Sequence, residues 1–331
     1  MMKKNIALVT GGYSGESVIS YKTAATIQQN IDTSRWNAYL IDISREGWFY
    51  LTENGNKVPV DKNDFSITIA GSKVRFEAAL IALHGTPGED GKLQGYFDCL
   101  GLPYTSCDAA TSALTFNKRY TVAVAAFGGI PVARSLHIFR ENPVSANDIL
   151  SKLQLPLFVK PNNGGSSIGM SKVNAAQDLP DALTKAFAED SQVLVEEFIS
   201  GREFTIGVFK TGGCIITLPM TEVISKKDFF DFEAKYQGAS SEITPADLEE
   251  DKANQIREMA TRAYVIFNCN GVVRIDFIYN EAQQRPYMLE INTVPGQSEA
   301  SIVPQQVKAM GWTLQEFYSA LIEDALTKQQ P

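Results

Sequence analysis

The sequence predicts an α/β chain organised around an open parallel sheet with helices on both faces, and three observations carry that expectation. Strand-like apolar runs alternate with helix-like segments through the first third of the chain. Glycine-rich turns punctuate the alternation. A length of 331 residues suffices for two or three lobes with several buried cores. Alternation of this kind is what strands joined by helical crossovers produce.

Taken in order, "NIALVT" (5–10) reads as a strand, Gly11–Gly15 as a tight turn and "SVISYKTAATIQQNI" (17–31) as a helix. "WNAYLIDI" (36–43) is a second strand, and 44–76 is hairpin-like, with turn signals inside "GWFYLTENGNKVPV". "ALIALHG" (79–85) is a buried strand, followed by the polar loop "TPGEDGKLQG" and a helix-like "YFDCLG". A second lobe begins near 115–120, where "NKRYTVAVAAFGGIPVA" reads as a helix ended by Gly128 and Gly129, with a strand starting at Pro131. "LPLFVKPNNGGSSIGMSKV" (155–173) reads as strand, Gly-rich loop, strand; "DLPDALTKAFAED" as a helix; "QVLVEEFI" as a strand. A hairpin-like pair surrounds Gly212 and Gly213, and a helix covers "EEDKANQIREMATRAYVIF". In the last segment, "WTLQEFYSALIEDALTK", Leu314, Phe317, Leu321 and Ile322 share one helical face.

Composition narrows the partners. Hydrophobic residues make up 44% and charged residues 21%, an ordinary globular balance. A net charge of −8 argues against nucleic acid or an anionic membrane as the main partner. An anionic ligand must then be held by a few placed cations. Cys99, Cys107, Cys214 and Cys269 are scattered without C-x-x-C spacing and read as reduced thiols. The apolar run after Lys3 and Lys4 is too short for a signal peptide, and none approaches the roughly 20 residues of a membrane-spanning helix. The expectation is a cytoplasmic protein.

The stretch "VRIDFIYNEAQQRPYMLEIN" (273–292) sets charged residues into two apolar runs. An antiparallel hairpin centred on Gln283 puts Asp276 opposite Glu290. Alternation by two then places Arg274, Asp276, Glu290 and Asn292 on one face, with Ile275, Phe277, Leu289 and Ile291 on the other. Converging oxygen donors suit Mg²⁺, which takes one or two carboxylates and completes its shell with water and phosphate. The plainer reading is a solvated ion cluster.

In "KPNNGGSSIGMSK" (160–172), consecutive backbone N–H groups can form an anion-binding concavity. Met170 stands where a Walker lysine would be, and the loop lies between strands, so the P-loop reading fails. Lys160 can instead project toward phosphates under the loop; an ordinary tight turn is the alternative. "VLVEEFISGREF" (193–204) carries acids at a strand end, where a backbone edge could face adenine and Glu203 a ribose. A surface strand end is the plainer reading.

These pieces, in this order, resemble an ATP-grasp enzyme. Together with "GGYSGE", "LHGTPGEDGKLQG" (83–95), "GLPYTS" (101–106), "FDFEAKY" (230–236) and "MLEINTVPG", they make the chain similar to the D-alanine–D-alanine ligase family over roughly residues 4–325. The resemblance implies a Rossmann-like N-terminal lobe over 1–117, a central ATP-grasp lobe over 118–205, and a C-terminal lobe over 206–331 carrying a metal site and a lid.

Carried across residue by residue, the resemblance implies that Lys118 and Lys160 contact the phosphates of ATP and that Lys235 reaches the γ-phosphate. Glu196, Glu197, Phe198 and Ile199 line adenine, Glu203 meets the ribose, and Leu289 packs on the base. Asp276, Glu290 and Asn292 bind two Mg²⁺ (or Mn²⁺), with Glu290 shared. Glu16 holds the ammonium of the first D-alanine, and His84 sits near its carboxylate. Arg274 and the backbone of Gly296 stabilise an oxyanion, and Ser301 fixes the second D-alanine. Glu16, Ser166 and Tyr236 form a triad that closes the lid.

The implied reaction is D-alanyl-D-alanine synthesis through a D-alanyl phosphate, releasing ADP and phosphate, for peptidoglycan precursors, by a homodimer. Sibling ligases using D-lactate or D-serine, and a non-catalytic ATP-binding sensor, are the alternatives. Residue by residue, plainer readings stand beside these roles: a first-turn carboxylate for Glu16, a structural strand end for His84, an exposed helix position for Lys118, and a solvated loop for 226–248.

Overall fold

In the computed structural model, which describes residues 3–164, 168–225 and 240–327, the described strands form three sheets. The first comprises β1 (Lys4–Gly11), β2 (Trp36–Ser44), β3 (Gly47–Leu51), β4 (Lys57–Asp61), β5 (Ser66–Ile69), β6 (Ser72–Val74) and β7 (Ala78–Ile81), ordered β6-β5-β4-β3-β2-β1-β7. Strand β1 pairs in parallel with β2 and with β7, and Ala79 of β7 makes a further parallel bridge with Tyr104. The crossover helix α1 (Ser17–Asn30) makes the first of these pairings possible. From β2 onward the chain returns through short turns, so the hairpin-like 44–76 stretch widens the same sheet antiparallel.

Strand β1 is buried on both faces. Ile6 and Leu8 join a cluster with Ile27, Phe317 and Leu321, while Ala7 and Val9 join another with Ile41, Phe65 and Phe97. The expected strand at 79–85 is shorter than its apolar run. It stops at Ile81, and the chain then carries His84 and Gly85 out over the sheet's end toward the helix α2 (Lys92–Leu100).

After α3 (Ala109–Phe116) and α4 (Lys118–Phe127), the expected strand at Pro131 is displaced to β8 (Ser135–Phe139). Residues ahead of it are engaged elsewhere: the Pro131 carbonyl accepts from Met288 N at 2.8 Å. The second sheet, with β9 (Leu157–Pro161), β10 (Ser171–Val173) and β11 (Gln192–Glu197), is antiparallel in the order β10-β9-β11-β8. Helices α5 (Ala146–Leu150) and α6 (Leu179–Glu189) cover it through Ile149, Leu179, Ala182 and Ala186.

The third sheet contains β12 (Arg202–Thr211), β13 (Cys214–Thr217), β14 (Thr221–Ser225), β15 (Ser240–Ile243), β16 (Val273–Asn280) and β17 (Arg285–Asn292). Helix α7 (Glu250–Ile266) lays Ala253, Ile256, Ala260 and Ala263 on one of its faces, against Phe204, Ile206, Ile275 and Phe277. Strand β12 runs unbroken through 205/206, where the sequence reading divides the second and third lobes. After α8 (Ile302–Ala309), the last helix, α9 (Leu314–Thr327), returns to the N-terminal sheet. The expected apolar face is buried there, and so are Ser319, Ala320, Asp324 and Ala325, because α1 and β12 flank the helix.

Candidate active site

Asp276 and Glu290 are directly opposed on β16 and β17, and Thr205 of β12 faces Asp276 from the other side. Three strands therefore deliver one polar rung, Thr205–Asp276–Glu290, to the sheet face away from α7. Arg274 and Asn292 form the next rung. Apolar alternates on the same strands fill the core beneath, so the hydrophobic pattern fixes which face these charges occupy.

One expected position changes face. A β-bulge at Asp276/Phe277 shifts the register, pairing Phe277 with Met288 and leaving Leu289 unmatched. Met288 takes the core position, and Leu289, expected opposite Glu290's face, lines the same cavity as Glu290.

The Asp276 carboxylate is 8% exposed and well supplied with donors. Arg274 donates from Nε to Oδ1 and from Nη2 to Oδ2, each at 3.0 Å, and Thr205 Oγ1 also donates to Oδ1. Of about four lone-pair positions on a carboxylate, three are used, and the remaining one is on Oδ2. Burial alone would lower the pKa of Arg274, but Asp276, Glu290 and Glu89 outweigh it and raise it, so the guanidinium is a fixed cation. Asn292 Oδ1 accepts from Val294 N at 3.1 Å, which orients its amide.

Among the described residues no three of His, Cys, Asp and Glu cluster as a closed metal site. The donor set is two carboxylates and an amide oxygen. Such a set fits a hard divalent cation only if ligand oxygens and water complete the shell, which is the usual Mg²⁺ arrangement beside phosphate.

These rungs floor a cavity of about 800 Å³ walled by all three sheets. Every described residue expected in the site lines it; Ser166, Lys235 and Tyr236 lie outside the described residues. On the side of the second sheet, Lys160 Nζ bonds Glu196 Oε1 at 2.5 Å, with both side chains almost buried. Lys118 Nζ donates to the Gly164 carbonyl at 2.6 Å and so ties the Gly-rich loop to α4.

Strand β11 is internal rather than an edge. Glu197 N and Phe198 N are already bonded to Arg134 O and Pro156 O, so neither N–H is left to offer a base. The Glu197 side chain points back to Gln154 N at 3.0 Å. Phe198 packs on Phe158, with Lys172 Nζ 4.2 Å above its ring.

The N-terminal lobe supplies the cavity's other end. Glu16 stands at the N-cap of α1 without a side-chain capping bond, beside Ser14 Oγ at 3.5 Å, and lines the cavity. His84 is 6% exposed, and its Nε2 pairs with Thr23 Oγ1 at 3.0 Å. Burial lowers its pKa to about 4, so the ring is neutral near pH 7. Gly296 lines the cavity beside Ser301, whose Oγ pairs with Ser298 Oγ at 2.7 Å.

Three contributors escaped the sequence reading: Thr205, Glu222 and Glu89. Thr205 and Glu222 are visible only through strand register; Glu222 is bound by Arg202 at 2.7 and 2.8 Å. Glu89 did carry a local signal, the "GEDG" within the quoted loop. Burial, and then the neighbouring Glu16 charge, push its pKa up to about 8, although the Gly85 N–H at 2.6 Å opposes this.

A sign follows for stability. From its ordinary 4.5 up to about 8, the unfolded chain has released this proton while the folded protein still holds it. Folding therefore weakens as pH rises across that window, by up to about 1.4 kcal/mol per pH unit from this group. Glu89→Gln is expected to melt above the parent at pH 8, with the gap closing towards pH 4.5. Melting curves across that range check it; a pH-independent gap would contradict the assignment.

Comparison with known proteins identifies relatives over the whole chain. The family model described as "D-ala D-ala ligase N-terminus" matches residues 5–107, and "D-ala D-ala ligase C-terminus" matches residues 124–323. A D-alanine–D-alanine ligase of Flavobacterium johnsoniae is 43% identical over 98% of this chain and 99% of its own. Among solved structures, the D-alanyl-alanine synthetase A of Vibrio cholerae superposes with a TM-score of 0.88 at 28% identity, over 99% of this chain and 100% of that one. A D-Ala:D-Ser ligase of Enterococcus faecalis does so at 0.87 and 30%, over 97% and 99%. With both halves matched and near-complete coverage at this identity, the chain belongs to the D-alanine–D-alanine ligase family.

Proposed function

We infer that this chain joins two D-alanines into D-alanyl-D-alanine in a reaction driven by ATP. The observation that carries the site assignment is the rung Thr205–Asp276–Glu290 beside Arg274, at the floor of a cavity that also gathers Lys118, Lys160 and Glu16.

We propose that the first D-alanine's carboxylate attacks the γ-phosphate of ATP, releasing ADP and forming D-alanyl phosphate. The second D-alanine's amine then adds to that carbonyl and expels phosphate. Asp276, Glu290 and Asn292 would hold two Mg²⁺ or Mn²⁺ ions, with Glu290 shared; bound there, the ions would neutralise phosphate charge.

The chain's own groups do the rest. Lys118 and Lys160 hold phosphate oxygens, which replace the Gly164 carbonyl and Glu196 as their present partners. Glu203 takes the ribose, and Leu289 with residues 196–199 encloses the base. Glu16 binds the first ammonium, and neutral His84 stands near that substrate's carboxylate. Arg274 and the Gly296 N–H face the developing oxyanion. Ser301 precedes α8, whose first-turn N–H groups carry no side-chain cap and so favour the second carboxylate. Ser166, Lys235 and Tyr236 complete the proposal as closing residues on family resemblance alone.

A homodimer is proposed on the same resemblance, and light scattering reads it directly. Among the described residues no helix is long and apolar enough to cross a membrane; a cytoplasmic location is proposed.

The deciding assay is ADP release with and without D-alanine, followed by product identification in D-alanine mixed with D-lactate or D-serine near neutral pH. D-alanine-dependent ADP with the D-Ala-D-Ala dipeptide as main product is expected. Nucleotide binding without turnover would make the protein a sensor, and a dominant ester or mixed dipeptide would reassign the second substrate.

A further inference from the structure

Thr23 is wholly buried on α1, on a core face that also holds Ser20, Ala24, Thr26 and Ile27. A buried hydroxyl is retained at a cost unless it is hydrogen-bonded. Here both its functions are used. Its Oγ1 lies 3.0 Å from His84 Nε2 and accepts from the backbone N–H of Gln297 at 3.3 Å. The backbone N–H of His84 in turn donates to Ser20 Oγ at 2.9 Å.

A neutral imidazole has one donor and one acceptor nitrogen. In the tautomer protonated at Nδ1, Nε2 is the acceptor and takes the hydrogen bond of the Thr23 hydroxyl. The contacts run from Gln297 N–H to Thr23 Oγ1 and from Thr23 Oγ1 to His84 Nε2. They tie α1 to Gln297, the chain neighbour of Gly296, which lines the cavity.

Spacing gives this network its second end. Glu16, Ser20 and Thr23 stand at i, i+4 and i+7, on one stripe of α1. The helix that begins at Glu16 is thus fastened, two turns later, to the loop of Gly296.

We propose that Thr23 is a positioning residue for ligation, setting the Gly296 N–H relative to Glu16 through His84 and Gln297. The proposal rests on the reading of Glu16 and Gly296 given above. An oxyanion donor matters only in the transition state, so its displacement slows the amine's attack and leaves ATP binding untouched. The acyl phosphate then waits longer and is lost to water, which yields ADP and phosphate without dipeptide.

The test compares Thr23→Val, which keeps the shape and removes the hydroxyl, with Thr23→Ser, which keeps the hydroxyl. Each full-length variant is assayed for dipeptide, ADP and ATP affinity. Thr23→Val is expected to slow dipeptide formation about 10- to 100-fold, the scale of a misplaced catalytic group. Its ADP-to-dipeptide ratio should rise above one while the Kd for ATP is unchanged; Thr23→Ser should restore both values to within about twofold. A ratio of one in Thr23→Val, or a defect of equal size in Thr23→Ser, overturns the proposal. Loss of folded protein alone lowers both products together and leaves the ratio at one. Should Thr23→Val not fold, Thr23→Ala against Thr23→Ser reads the same contrast. If the parent itself releases no ADP in response to D-alanine, the ligase reading fails and takes this inference with it.

Discussion

Glu290→Gln is expected to abolish dipeptide formation, by about three orders of magnitude or more, which is about 4 kcal/mol of transition-state stabilisation. Glutamine keeps the size and the strand position opposite Asp276, so the hairpin and its core partners Ile275, Phe277 and Met288 are undisturbed. What disappears is one of two carboxylates available to a divalent cation, and the amide that replaces it is a poorer ligand. Asp276 cannot compensate, because three of its lone-pair positions already serve Arg274 and Thr205. Folding should be nearly unaffected, since the substitution also removes a like charge facing Asp276. Two measurements check this: D-alanine-dependent ADP release, and the melting temperature with and without Mg²⁺-ATP. Near-parental turnover would refute the donor set; a melting temperature that no longer responds to Mg²⁺-ATP would support it.

Gly85→Ala should strike the other end of the cavity with comparable selectivity. Gly85 has φ +67, and a Cβ there would lie 2.5 Å from Ser14 Oγ and 2.6 Å from Glu16 Oε2. Two penalties therefore combine. The left-handed backbone costs an alanine about 1–2 kcal/mol, and the methyl group must displace the carboxylate proposed to hold the first ammonium. The kcat/KM for D-alanine should fall about 100-fold, while ATP binding, proposed to draw on the second and third sheets, stays intact. Gly55 provides the control. Its φ is +78 with nothing within 4 Å of a Cβ, so Gly55→Ala incurs only the backbone penalty. If Gly85→Ala and Gly55→Ala behave alike in D-alanine saturation, the steric argument fails.

Neutral His84 and protonated Glu89 sit beside these positions, and both are made by enclosure. Neither state is written in the residue type. Each follows from burial among side chains of several elements. The apolar letters of "ALIALHG" suggest a longer strand, but Gly85 and Gly88 allow the chain to turn over the sheet's end instead.

Short-range pattern was enough for much of the molecule. Alternation by two in 273–292 determined that Arg274, Asp276, Glu290 and Asn292 share a face, because a strand's neighbours alternate by geometry alone. The strand–helix–strand order of 5–43 likewise determined the parallel pairing of β1 and β2, since that connection needs a crossover. Tertiary structure decided what periodicity does not encode. The bulge that turned Leu289 into the cavity depends on how two strands match their lengths. Thr205 reaches Asp276 across 71 residues of chain, and Thr23 reaches Gln297 across 274. Such partners are chosen by packing between elements whose own sequences are satisfied with many registers, and so leave no local trace.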